Sequence, residues 1–131
     1  MTVRSEVETT LKIWADAQVP PVPISMENKA FTKPTTGSYL AVYFLDTFTA
    51  SAEVSAATER ETGVFQIDVC TRTGVGTKEC EALRNSVIAL FPVLPKTGAY
   101  SVERPPQKSA FRPRDDGFLV SHVSVSFRRL Q

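Results

Sequence analysis

YLAVYFLDTFT, Tyr39–Thr49, and GVFQIDVCTRT, Gly63–Thr73, are the two runs whose reading decides the fold. Both are rich in the aromatic and β-branched residues that suit a pleated, half-buried surface. The second alternates: Phe65, Ile67 and Val69 point one way, Gln66 and Asp68 the other, as in a strand with one face on a core. The first is apolar on both faces, which predicts a strand covered by a helix or partly buried at a subunit contact. Between them Ala50–Thr62 has four alanines, two serines and Glu53, Glu59 and Glu61 against Arg60, with no periodicity. It reads as a long, mobile, acid-leaning hairpin loop, and loops of this length are often functional. After the second run, Gly74-Val75-Gly76 turns into an amphipathic helix opening at Gly76-Thr77, with Glu79 favourably placed in its first turn. Cys80, Leu83, Val87, Leu90 and Phe91 form its apolar stripe, and Pro92 and Pro95 stop it.

Outward from this unit, Val3, Val7, Leu11 and Trp14 recur at helical spacing with Arg4, Glu6, Glu8 and Lys12 on the other faces. They predict a helix from Thr2 to Gln18 with Thr2 as N-cap. Pro20, Pro21 and Pro23 end it. Ile24–Glu27 suits a short edge strand, and Asn28–Ser38, punctuated by Pro34 and Gly37, a loop. Ala99–Ala110 reads as a strand broken at Pro105-Pro106, hence at an edge. Asp115-Asp116-Gly117 is a turn, and Phe118–Arg129 a strand pairing with Ala99–Ala110 as a hairpin. The order α-β-β-β-α-β-β predicts an α+β fold: a mainly antiparallel sheet of about four to five strands, with two helices packed on one face.

The chain has 131 residues, the size of one domain, long enough to bury a core without metal or disulfide staples. Its net charge of +1 gives no global case for nucleic-acid binding. No apolar run approaches the roughly 18–20 residues of a membrane span, and the charged N-terminus does not read as a signal peptide. Cys70 and Cys80 lie on neighbouring elements and read as small buried hydrophobes.

Motifs that carry chemistry are scarce. Gly74-Val75-Gly76-Thr77-Lys78 has two glycines around one residue, not the spacing that wraps phosphates, and reads as a plain turn. His122 is the only histidine and alternates with serines; a Ser–His pair needs an orienting group and an oxyanion hole, and with no nucleophile elbow it reads as a surface-facing strand histidine. Two adjacent carboxylates at Asp115-Asp116 are a turn signal more than a cation site. No catalytic residue, cofactor or metal ligand is expected. Lys96–Arg114 carries Lys96, Arg104, Lys108, Arg112 and Arg114 against Glu103, an excess of +4. With Tyr100 and Phe111 it could serve nucleic acid, although prolines interrupt it. A basic arm and an acidic loop on one small chain favour heterologous, head-to-tail contacts that close into rings.

A pattern of structural residues spans nearly the whole chain. It comprises the helix ending in a tryptophan and prolines, Ser25-Met26-Glu27-Asn28 with Phe31 and Pro34, and Tyr39-Leu40-Ala41-Val42. It continues through Gly63-Val64-Phe65-Gln66-Ile67-Asp68-Val69, Gly74-Val75-Gly76 and Ala89-Leu90-Phe91-Pro92. This pattern resembles the tail terminators of long-tailed phages, the group like the lambda minor tail protein U. The resemblance implies a non-enzymatic virion protein at the head-proximal end of the tail, assembled in the host cytoplasm. It implies a homo-oligomeric ring, hexameric in the family, that caps the tail tube, stops its growth and offers a surface to head-completion or connector proteins. DNA would pass through only as cargo. By analogy the loop Ala50–Thr62 would order on docking. The candidate partner-binding residues are Glu53, Glu59, Arg60 and Glu61 from the loop, and Arg104, Lys108, Arg112 and Arg114 from the basic arm. A head–tail joining protein of similar fold and a small nucleic-acid-binding domain using residues 96–114 stay open as alternatives.

Overall fold

A computed structural model describes residues 2–27, 29–34, 37–51, 59–74, 76–93 and 100–130, with the backbone alone for residues 46–51, 59, 60 and 130. Helix α1 (Val3–Asp16) starts where expected. Thr2 accepts from the Ser5 amide and Ser5 Oγ returns to the Thr2 backbone, closing a capping box. Its stripe, Val3, Val7, Leu11 and Ala15, is buried with Trp14 packed alongside, while Ile13 is exposed. Strands β1 (Ile24–Ser25), β2 (Tyr39–Ser51) and β3 (Glu59–Arg72) follow, then α2 (Lys78–Ile88). Gly74 and Gly76 have φ of 88° and 83°, so the turn into α2 requires glycine at both positions. Three short strands, β4 (Ser101–Val102), β5 (Gln107–Lys108) and β6 (Arg112–Pro113), precede the long β7 (Phe118–Leu130).

These strands form one sheet in the order β1-β2-β3-β7, with β4, β5 and β6 all on the outer side of β7. Strand β3 is central, antiparallel to β2 on one side and to β7 on the other. The α+β class holds, but among the described residues the sheet has seven strands and is mixed, because β1 runs parallel to β2. The higher count has a local cause. The expected strand Ala99–Ala110 is cut at Pro105-Pro106, which cannot donate to a ladder, and its pairing resumes past Ala110 as Arg112–Pro113.

The expected loop Ala50–Thr62 is also corrected. Ala50 and Ser51 belong to β2 and Glu59–Thr62 to β3; residues 52–58 between them lie outside the described residues. Glu59–Glu61 have weak strand propensity. In the centre of the sheet Glu61, for example, pairs with Thr49 on one side and Arg129 on the other. A ladder on both sides overrides propensity.

One face of the sheet carries the main core. Leu40, Val42, Phe65, Ile67, Val69, Val123, Val125 and Phe127 meet Val3, Val7 and Leu11 of α1 and Cys80 and Val87 of α2, with Phe91 just beyond it. Both helices therefore lie on this face, as expected. Phe65 anchors an aromatic cluster with ring centroids 5.1 Å from Phe91, 5.4 Å from Phe44 and 6.0 Å from Phe127. Each such fully buried side chain contributes about 1.5–3 kcal/mol of transfer free energy. Cys70 and Cys80 are free, buried thiols.

Candidate functional site

The other sheet face is divided in two. Near the start of β2 a second cluster, Tyr39, Ala41, Cys70, Phe118 and Val120, is covered by Phe31 from the segment before β2. Tyr39 stacks 5.3 Å from Phe31 and 4.9 Å, edge-on, from Phe118. Charges lock this cover. Arg72 lies 4.3 Å over Phe118 and donates to Pro34 O, and Asp116 binds Lys33 at 2.6 Å and Arg114 at 2.7 Å. Arg114 also donates to Tyr39 Oη at 2.5 Å. The two cations hold the Asp116 carboxyl well below the usual carboxylate range. Asp115-Asp116 is thus a turn built on Gly117 (φ 86°), with Asp116 already in ion pairs.

Beyond that cover the face is open. Tyr43 is 40% exposed, and Leu45, the extra residue at a β-bulge, is 51% exposed. Asp68 and His122 are direct register partners, with His122 Nδ1 2.6 Å from Asp68 Oδ1. Gln66 Nε2 donates to the same carboxylate oxygen at 2.8 Å. The three form a polar network on this face, with Asp68 buried and the His122 ring partly exposed. Ser121 points to the opposite face and donates to Ser109 O at 2.9 Å. Sequence reading placed Asp68 and His122 correctly on strands, but their pairing depends on the β3–β7 register, which no local signal encodes.

A second missed residue is Arg84, 7% exposed in α2. Its guanidinium donates to Ser109 O at 3.2 Å and Ser121 Oγ at 3.1 Å and lies 4.4 Å over Phe111. Ser109 also pairs with His122 through both its amide and its hydroxyl. Arg84 and Ser109 therefore fasten the short strands β5 and β6 to β7 and α2. The signal was present: position 84 is four residues after Cys80 and three before Val87, on the buried stripe.

The expected partner-binding residues fall on two parts of the sheet. Arg104 donates to Ser126 Oγ at 3.3 Å, Lys108 lies in β5 and Arg112 in β6. The structure brings these three onto one edge, exposed to solvent. Arg114 is instead drawn into the Tyr39–Asp116 network. Glu59, Arg60 and Glu61 lie in β3, where Glu61 pairs in register with Arg129, so they do not form a free acidic loop. Glu53 and Lys96 lie outside the described residues.

Opposite the basic edge, β2 is paired on its outer side by β1 only at Leu40 and Ala41. Glu27 caps the next step, accepting from the Phe44 amide at 2.7 Å while pairing with Arg4 at 2.8 Å, and its carboxyl pKa is lowered mainly by that amide. From Leu45 to Ser51 no strand among the described residues covers this edge. Two grooves of about 340 and 420 Å³ flank Pro20–Pro23 and are open to solvent; Lys12, Asp16 and Lys29 line the first, and Gln18, Ser38 and Glu79 the second. Among the described residues no cluster of metal-ligating side chains forms, and no helix is long and apolar enough to cross a membrane.

No curated protein matches the chain. One solved structure, known only by a sequence identifier, superposes with a TM-score of 0.76 at 28% identity, covering 98% of this chain and 93% of that one. The family described as phage tail terminator protein matches residues 2–127. The chain therefore belongs to the phage tail terminator family and is a structural protein of the virion tail.

Proposed function

We propose that this chain assembles into a ring, hexameric as the family resemblance implies, that caps the head-proximal end of the tail tube. The ring stops tube polymerisation and presents its far surface to head-completion or connector proteins. Arg104, Lys108, Arg112 and Arg114 on one side of the sheet and Glu59, Arg60 and Glu61 at the end of β3 are the proposed partner contacts, with the β2–β3 hairpin reaching toward the tube. The observation that carries this reading is the family match over residues 2–127. The long β3–β7 ladder, paired from Arg60↔Leu130 to Arg72↔Phe118, supplies an extended sheet on which a ring subunit can be built.

The test is negative-stain microscopy of the purified full chain with cognate tail tubes and with heads. Rings seated on tube ends, lost when residues 52–58 are deleted, support the reading. Rings that seat on heads but never on tubes would favour a head–tail joining protein instead.

A further inference from the structure

Among the described residues, the sheet face away from the helices is covered near the start of β2, by Phe31 and the ion pairs around it. Along β7 the uncovered part carries His122, Ser124, Ser126 and Arg128, because Val123, Val125 and Phe127 between them belong to the core. Tyr43, 40% exposed, is in register with Gln66, and Gln66 with Ser124. Asp68 is the one carboxylate among the described side chains in the middle of this face. It is 6% exposed, and one of its oxygens meets both His122 and Gln66, at 2.6 and 2.8 Å. Cations rim the face. Arg104 donates to Ser126 Oγ, Arg112 sits opposite Val120 at the border of the Phe31 cover, and Arg128 projects from β7 itself. All three are exposed, and among the described residues none has a carboxylate within ion-pair reach, whereas Arg4, Lys12, Lys33 and Arg114 each have one. Residues 100–130 hold six cations against Glu103, Asp115 and Asp116, net +3, in a chain whose total is +1.

We propose that this face docks a carboxylate-bearing protein surface of another tail or head component. This rests on the tube-capping reading and names the chemistry of one of its partners. Each unpaired guanidinium offers a planar fork that a carboxylate fills with two hydrogen bonds. Tyrosine and arginine are the side chains that most often anchor protein interfaces, and Tyr43 stands within the rim. The Asp68 carboxylate already has its partners inside the chain, so a docked surface covers it without stranding a charge. The row leaves out Arg114, whose charge Asp116 meets. A phosphate backbone fits less well. Glu103 and Asp115 are exposed beside the row, and a chain with a pI near 7.8 lacks the basic excess of a nucleic-acid-binding domain.

Cosedimentation of the full chain with cognate tail tubes and, separately, with cognate heads tests it. An Arg104→Glu/Arg112→Glu/Arg128→Glu variant reverses the row, and Arg104→Gln/Arg112→Gln/Arg128→Gln removes its charge more mildly. Lys29→Glu, at an exposed lysine on the groove beside α1, is the control. The expected result is capture by tubes or by heads that weakens about tenfold or more in the reversed variant, less in the neutral one and not in the control. Tyr43→Ala weakens it too, which long-range attraction alone would not. Polyglutamate displaces the wild-type chain, and duplex DNA of equal charge does not. Capture of the reversed and neutral variants as tight as that of the wild type would overturn the proposal. Displacement by DNA alone would overturn it in favour of a phosphate ligand. Reversed-variant rings that still cap tubes and join heads would overturn it and leave the capping reading intact, whereas a wild-type chain that binds neither would overturn both.

Discussion

Single residues here do more than their type suggests. Arg84 occupies an apolar stripe position, yet its guanidinium fastens Ser109 and Ser121 and stacks on Phe111. Truncating it takes one donor from the Ser109 carbonyl and the donor to Ser121 Oγ, and leaves a gap beside Phe111 in a buried setting. Arg84→Ala is expected to destabilise the chain by about 2–4 kcal/mol, with Arg84→Lys recovering only part because a lysine lacks the planar fork; urea denaturation reads both. At the other end of the pH scale, burial raises the phenols of Tyr39 and Tyr100 to about 12 and the Cys70 thiol to about 11. The unfolded chain loses these protons first, so folded stability is held below about pH 9 and falls as pH rises toward 12. A urea midpoint that stays flat from pH 8 to 11.5 would contradict this. Cys70 and Cys80 are buried, so neither thiol should react with a thiol reagent until the chain unfolds, whereupon two thiols per chain should titrate.

Elements were legible wherever periodicity and burial agreed. The alternation Phe65-Gln66-Ile67-Asp68-Val69 gave β3 its core face, and the helical spacing of Val3, Val7 and Leu11 gave α1 its buried side. What stayed hidden depended on partners distant in sequence. Glu59–Thr62 looked like loop because their strand character comes from two neighbouring strands, not from their side chains. The parallel placement of Ile24–Ser25 and the Asp68–His122 pairing depend on register in the same way. The site was the least legible part: Arg104, Lys108 and Arg112 share one exposed edge, but Arg114 is held by Asp116 and Tyr39, and Arg84 was read past altogether. The topology predicts an order of local stability. Amides of Ile67, Val69, Val123 and Val125 should exchange slowest in hydrogen exchange, and those of β1, β4, β5 and β6 at least a hundredfold faster, because each short strand has a two-residue ladder. Protection of β5 equal to that of β7 would contradict this.

On the scale of the molecule, Arg104, Lys108 and Arg112, exposed together on one edge, predict that the proposed ring is held by contacts that salt weakens. Any assembled species should lose mass as ionic strength rises from about 50 to 500 mM, across which the screening length shrinks from about 14 to about 4 Å. A salt-insensitive oligomer would point to apolar contacts instead. The proposed function is that this tail terminator family member limits tube length by capping the tube. Its most direct test is the length distribution of tail tubes grown from the cognate tube protein with and without the chain, measured by electron microscopy. The capping reading predicts that tubes stop elongating, with a ring at the blocked end, once the chain is added. Tubes that go on lengthening at an unchanged rate, with bare ends, would contradict it.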